Sequence, residues 1–231
     1  ELSFAERTAF SPEGLRGKTV LDAGCGMGRY LEIAARSAGE VVGADLSLAV
    51  DSAYDNVGKL PNVHIVQADI MRLPFKPGVF DAAYSLGVLH HTPDTKKAFL
   101  SLVPLLKKGA LASIWVYSKE DAYMRLSHRF SDFYRIFTSR LPKKLLWQLS
   151  RLSVPLYYLK KIKKLHTLLD VVLPMSNHPE PQWRVLDTFD WYSPRYQHKH
   201  TYAEVDAWFK EAGFEEVRNL TFPVSVTGVK Q

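Results

Sequence analysis

A chain of 231 residues fits one α/β domain, or one such domain carrying an inserted subdomain, and its 46% hydrophobic content is enough to build a core and argues against disorder. The single cysteine excludes a disulfide framework within the chain and a cysteine-based zinc cluster. The formal net charge of +6 is concentrated in one place: residues 119–168 hold 12 Lys/Arg against 3 Asp/Glu, a local net of +9, so the remainder of the chain sums to −3.

The opening stretch ELSFAERTAF lacks the basic-then-apolar order of a signal peptide, and no run of about 18 apolar residues occurs. The expectation is a soluble, cytoplasmic protein. From Lys18 short β-rich runs alternate with helical stretches, the pattern of a parallel sheet covered by helices. KTVLDA (18–23) reads as a buried strand, Gly24 to Gly28 as a tight turn, and Arg29 to Ser37 as a helix. EVVGAD (40–45) reads as the second strand, with Ser47 as N-cap of a helix running to about Gly58. NVHIVQAD (62–69) and VFDAAYSL (79–86) follow as strands three and four. A helix over 94–106 is expected to stop at Lys107, Lys108 and Gly109, before a fifth strand at ALASIWVY (110–117).

The rhythm breaks at residues 119–168, where Leu145, Leu149, Leu152, Leu156 and Leu159 recur at helical spacing among lysines and arginines. Pro142 and Pro155 should divide this insertion into several helices. Residues 173–200 read as a Pro/His/Tyr-rich loop. TYAEVDAWFKEAGF (201–214) reads as a helix with Thr201 as N-cap, Glu204 at the capping-box position and Gly213 as stop. The last strands, 215–222 and 223–230, abut so closely that only an antiparallel hairpin can join them.

The chemistry-bearing text begins with LDAGCGMGRY (21–30), where Asp22 precedes Gly24, Gly26 and Gly28 at the end of the first strand. Glycines there let the backbone turn sharply and approach a ligand that a Cβ would block. A dinucleotide-binding turn has the longer spacing G-x-G-x-x-G. Here the spacing is G-x-G-x-G with an acid two positions ahead, which resembles the first motif of class I S-adenosylmethionine-dependent methyltransferases. FDAAYSLGVLHHTPD (80–94) resembles the fourth motif of the branch of that family acting on small molecules and quinones.

The resemblance covers residues 18–118 well and 201–230 in outline. It implies a Rossmann-like, doubly wound seven-stranded α/β sheet, parallel with one antiparallel strand and a terminal β-hairpin, with an inserted helical cap. Residues 1–118 and 201–231 would form the core that binds S-adenosylmethionine, leaving S-adenosylhomocysteine as product, and 119–200 the cap and acceptor-side loop. The cofactor site implied comprises Asp22, Gly24, Cys25, Gly26, Asp45, Leu46, Asp69, Ile70 and Leu86. Asp22 would hold the cationic amino group, Asp45 the ribose hydroxyls and Asp69 the adenine amino group, with Ile70 and Leu86 contributing backbone.

The expected reaction is methyl transfer to an oxygen or nitrogen of a small or amphiphilic metabolite. The Asn/Asp-Pro-Pro-aromatic signature of amino-group methylation on bases or glutamine is absent after the fourth strand, where the text reads SLGV. If a general base is used, the candidates are His91 and His200, with His90 and His198 beside them, and a helix-initiating role for His90 and His91 is the alternative. Trp191, Tyr192, Arg195 and Tyr196 are candidate acceptor walls, against plain aromatic packing. For the basic insertion three readings stand: a cap whose leucines cover a core, a membrane-surface element through residues 141–165 including KKIKK (160–164), and a nucleic-acid patch, the least favoured. A nicotinamide-dependent oxidoreductase and a non-catalytic S-adenosylmethionine-binding regulator are the rival classes.

Overall fold

The β-rich runs do pair. In the computed structural model, which describes residues 2–119, 124–222 and 224–231, they form one sheet from β1 (Thr19–Ala23), β2 (Glu40–Asp45), β3 (Val63–Gln67), β4 (Phe80–Leu86), β5 (Leu106–Trp115), β6 (Phe214–Asn219) and β7 (Ser225–Lys230). The order across the sheet is β3-β2-β1-β4-β5-β7-β6. All neighbours are parallel up to β5, and β7 runs antiparallel to both β5 and β6. The close spacing of the last two strands is met by that antiparallel pair; Pro223, in their link, lies outside the described residues.

Successive side chains of a strand point to opposite faces, and both faces here are buried. Leu21, Ala23, Phe80 and Ala83 join one core with Phe99, Phe209 and Phe214, while Val20, Ala82, Tyr84 and Leu86 join another with Leu31 and Phe4. The helices carried with this sheet are α1 (Leu2–Thr8), α2 (Pro12–Leu15), α3 (Arg29–Ala35), α4 (Ala49–Val57) and α5 (Thr95–Leu102), with α11 (Tyr202–Glu211) returning the chain to β6. Together they make one of two compact units, Glu1–Ser118 with His198–Gln231.

The second unit, Lys119–Gln197, is helical: α6 (Met124–Thr138), α7 (Lys143–Ser150), α8 (Ser153–Lys160), α9 (Lys163–Val172) and α10 (Pro181–Tyr192). The side chains of Lys163 and Lys164, part of the basic run, lie outside the described residues. Pro142 is the N-cap of α7 as a breaker should be, whereas Pro155 sits in the first turn of α8, where its missing N–H leaves no bond unmade; the break falls at Arg151 and Leu152.

Three local readings are corrected. Residues 181–192, within the stretch expected to be loop, form α10: Pro181 starts it, and Arg184, Val185, Thr188 and Tyr192 bury one face at helical spacing. Ser47 is not the N-cap of α4; Leu48 holds that place without a side-chain bond, while the Ser47 hydroxyl, one residue earlier, donates to Asp45 and accepts the Ala49 N–H at 3.2 Å. Lys107, Lys108 and Gly109 do not follow a helix end but lie within β5, where Gly109 takes φ +74° at an irregularity opposite Phe80 and Ala82.

Candidate cofactor and active site

The parallel strands β3, β2, β1 and β4 deliver their C-terminal ends to one edge of the sheet, and the strand order reverses between β1 and β4. A crevice opens at such a point in open α/β sheets. The turn after β1 is built on Gly24, Gly26 and Gly28 at φ +94°, +52° and +87°. Gly24 donates its N–H to Ala44 O at 2.7 Å, and Gly28 to Cys25 O at 2.9 Å. A Cβ on Gly24 would lie 2.5 Å from Val88, and one on Gly28 2.9 Å from Val57. A Cβ on Gly26 would meet no atom within 4 Å, so there the backbone faces open space.

Asp22, on β1, is 2% exposed, and its Oδ2 is buried with no hydrogen-bond partner among the described residues. Burial pushes its carboxyl up from 3.8 to about 8, with nearby Asp45 adding repulsion. The phenol of Tyr84, its cross-strand partner on β4, offsets part of this, although the Tyr84 oxygen itself closes no bond of ordinary geometry. Such a carboxyl lacks a cation, and an ammonium group fits the lack.

Asp45 ends β2, and its two oxygens already order the loops: Oδ2 accepts the Gly26 N–H at 3.0 Å, while Oδ1 accepts the Ser47 N–H at 2.8 Å and hydroxyl at 2.7 Å. A carboxylate oxygen has two lone pairs, so Oδ2 can accept again. Leu46, beside it, is 66% exposed. Asp69 follows β3 and is exposed, with Oδ1 accepting the Met71 N–H at 2.9 Å. Ile70 is buried in the turn after it. Leu86 closes β4, next to Ser85, whose buried hydroxyl donates to Ala23 O at 2.6 Å and ties the β1 and β4 ends together. The Cys25 thiol, pushed far up by burial and by Asp22 and Asp45, is a protonated packing group.

Tyr84 and Ser47 are the residues that sequence reasoning missed. Ser47 was legible in principle, standing two residues after an acid at a strand end, a spacing that favours side-chain turns. Tyr84 required the strand register, since only pairing of β1 with β4 sets it opposite Asp22.

The structure brings the histidines together. The His90 backbone carbonyl accepts the His198 N–H at 2.9 Å, and Tyr117 O accepts the His200 N–H at 2.8 Å. The His90 ring is fully buried, 3.9 Å from the Tyr117 ring and 4.1 Å from that of His91, and neither of its nitrogens has a hydrogen-bond partner among the described residues. Burial, reinforced by His91, His200 and His198, holds it neutral. His200 sits with Nε2 3.0 Å from Thr95 Oγ1 and Nδ1 3.5 Å from Glu204 Oε2, and His91 is partly exposed. Trp191, Tyr192, Arg195 and Tyr196 belong to the helical unit. There Tyr192 is buried and donates its hydroxyl to Pro174 O at 2.7 Å, and the Arg195 guanidinium lies 5.5 Å from the Tyr196 ring.

Residues 21–114 match the family described as Methyltransferase domain. The chain is 34% identical over 110 residues to a tRNA (carboxymethyluridine(34)-5-O)-methyltransferase of Arabidopsis thaliana, covering 46% of this chain and 26% of that protein. It is 31% identical over 112 residues to cycloartenol-C-24-methyltransferase of the same plant, covering 46% and 33%. The chain thus spans a quarter to a third of the length of these curated relatives. Its fold is similar to that of a SAM-dependent methyltransferase from Aquifex aeolicus, with a TM-score of 0.54, 18% identity, and coverage of 99% of this chain and 92% of that one. A dinucleotide enzyme would need the longer glycine spacing; the family match, which runs from within β1 through the glycine turn to β5, identifies residues 21–114 as a class I S-adenosylmethionine-dependent methyltransferase domain.

Proposed function

We propose that the protein transfers the methyl group of S-adenosylmethionine to an oxygen or nitrogen of a small or amphiphilic metabolite. The observation that carries this reading is the unpartnered, buried oxygen of Asp22 beside a turn whose Gly26 backbone is open. A nicotinamide cofactor would bring a pyrophosphate to the glycine turn, and a second negative charge beside Asp22 and Asp45 would be repelled. S-adenosylmethionine brings an ammonium and, when bound, supplies an electrophilic methyl group on a sulfonium.

The roles of this chain's residues follow from what they hold. Asp22 takes the ammonium, and Asp45 adds ribose hydroxyls to the N–H groups that it already accepts. Asp69 faces the adenine amino group, and the backbone from Leu46, Ile70 and Leu86 lines the crevice. Positioning and exclusion of water do most of the work in an in-line displacement. His91 and His200 are the proposed bases. His200 is oriented by Thr95 and Glu204 in the manner of an imidazole whose tautomer is set by its neighbours.

Methyl-labelled S-adenosylmethionine, offered with a panel of hydroxyl- and amine-bearing amphiphiles, should yield labelled product. His91→Ala or His200→Ala should lower kcat by about 10²–10⁴-fold, with little change in cofactor affinity, if the group acts as base. Tight binding of S-adenosylhomocysteine with no product across the panel would instead indicate a non-catalytic binder, and thermal stabilisation by NAD but not by S-adenosylhomocysteine an oxidoreductase.

A further inference from the structure

The helical unit Lys119–Gln197 contains an apolar cleft of about 290 Å3. The leucines that repeat along its sequence supply much of the wall: Leu146, Leu149, Leu152 and Leu156 line it together with Tyr134 and Met175. They do not close on one another as a filled core would, since Leu149 and Leu152 remain 43% and 54% exposed. The volume lies at the small end of the roughly 300–1,000 Å3 range of ligand sites.

Water is a poor occupant for this space. The hydroxyls of Ser150, Thr138 and Tyr192 donate to Leu146 O at 2.9 Å, Tyr192 O at 3.0 Å and Pro174 O at 2.7 Å. An ordered water needs two to four polar partners, and these groups are already engaged. Ser153 is different: it lines the cleft, is 2% exposed, and its Oγ has no hydrogen-bond partner among the described residues. A hydroxyl buried in an apolar wall is costly to leave unpaired, so an occupant carrying one oxygen would gain by meeting it.

The charge around the cleft selects further. Between Asp132 and Asp170 the sequence has nine Lys/Arg and no acidic residue, although two of the nine, buried Arg135 and Lys160, pair with those two acids. Exposed Lys143 and Lys144 open the helix that carries Leu146 and Leu149, and exposed Arg151 stands between the lining residues Ser150 and Leu152. We infer that this cleft binds the hydrocarbon tail of a single-chain anionic amphiphile, with the chain among the leucines, an oxygen at Ser153 and the head group at the basic rim. The inference stands on the helical unit alone and does not depend on methyl transfer.

Calorimetric titration of the full chain with monomeric dodecyl phosphate, without S-adenosylmethionine, tests it. Expected are saturable one-to-one binding with a negative heat-capacity change, and at least tenfold weaker binding of dodecyl maltoside. Ser153→Leu should weaken dodecyl phosphate binding at least tenfold while leaving Tm unchanged or higher, because the new side chain fills the cleft and removes the unpaired hydroxyl. Leu149→Glu, at an exposed position that does not threaten folding, should weaken it as much. S-adenosylhomocysteine affinity should stay unchanged in both variants, which separates this site from the cofactor site. No saturable binding, several amphiphiles bound per chain, equal affinity for the maltoside, or full affinity in both variants would overturn the proposal.

Discussion

Burial holds the Asp22 carboxyl protonated in the ligand-free protein, with its pKa pushed up from 3.8 to about 8. A group raised on folding contributes stability that is fully present below the unfolded value and is lost as pH rises through the folded one. The unfolding free energy of the ligand-free protein should therefore fall between about pH 4 and pH 8 and level off above. His90 acts in the opposite sense: held neutral by burial, it contributes stability above about 6.5 that is lost as pH falls below it. Asp22→Asn should remove the loss with rising pH and melt higher than the parent at pH 8.5, yet fail to bind S-adenosylhomocysteine measurably; parallel melting profiles for the two proteins would refute the assignment. Cofactor binding at pH 7 should release about one proton from Asp22, seen as a buffer-dependent binding enthalpy that the Asn variant lacks. The glycines permit a sharper contrast. Gly24→Ala forces both a left-handed φ and a collision with Val88, and should destabilise the fold severely. Gly26→Ala meets no neighbour and should cost only the left-handed strain of about 1–2 kcal/mol, while cofactor affinity drops more than tenfold; unaltered affinity would show that no ligand approaches that backbone.

Elements whose cause is local were legible in the sequence, and those set by tertiary contacts were not. The capping box at the start of α11 is complete, with the Glu204 N–H donating to Thr201 Oγ1 at 3.2 Å and the Thr201 N–H to Glu204 Oε2 at 2.8 Å, because Thr and Glu three apart close it without outside help. Thr201→Ala should lower stability by about 0.5–2 kcal/mol in a denaturant titration. Buried strands β1 and β4 were equally clear, being short, mostly apolar runs that end in turn residues. The misreadings share a physical origin. α10 hides behind prolines and histidines because its buried face includes Arg184, whose Nε and Nη2 donate to His178 O at 2.9 Å and Pro179 O at 2.7 Å while the guanidinium lies 3.7 Å from the Tyr157 ring. No hydropathy pattern marks an arginine as core. Lys107, Lys108 and Gly109 likewise resembled a helix terminus, but Lys107 pairs with Asp81 at 2.8 Å across the sheet, a partner that only the β4–β5 register supplies. At the site, the three acids could be read from strand ends, whereas the Asp22–Tyr84 proximity and the four-histidine cluster depend on which strands and loops become neighbours.

At the scale of the whole molecule, the uneven charge of the sequence maps onto the division into two compact units, with the basic stretch inside Lys119–Gln197. Asp22, Gly24, Gly26, Asp45, Asp69 and Leu86 all lie in the sheet unit, which has its own two cores on the faces of the sheet. The points where the chain leaves and re-enters that unit are close, since Ser118 pairs with His200 as an isolated parallel bridge. A few glycines and serines can therefore join Ser118 to His198 at a small loop-closure cost. The protein with residues 119–197 so replaced should fold cooperatively, keep S-adenosylhomocysteine affinity within several-fold of the parent in calorimetry, and lose all binding of dodecyl phosphate. Retained cofactor binding with lost amphiphile binding would establish that the sheet unit alone holds the cofactor and the helical unit the apolar chain. Loss of S-adenosylhomocysteine binding in a folded sheet unit would show instead that cofactor affinity requires the helical unit, and the residue-scale assignments would then account for only part of the site.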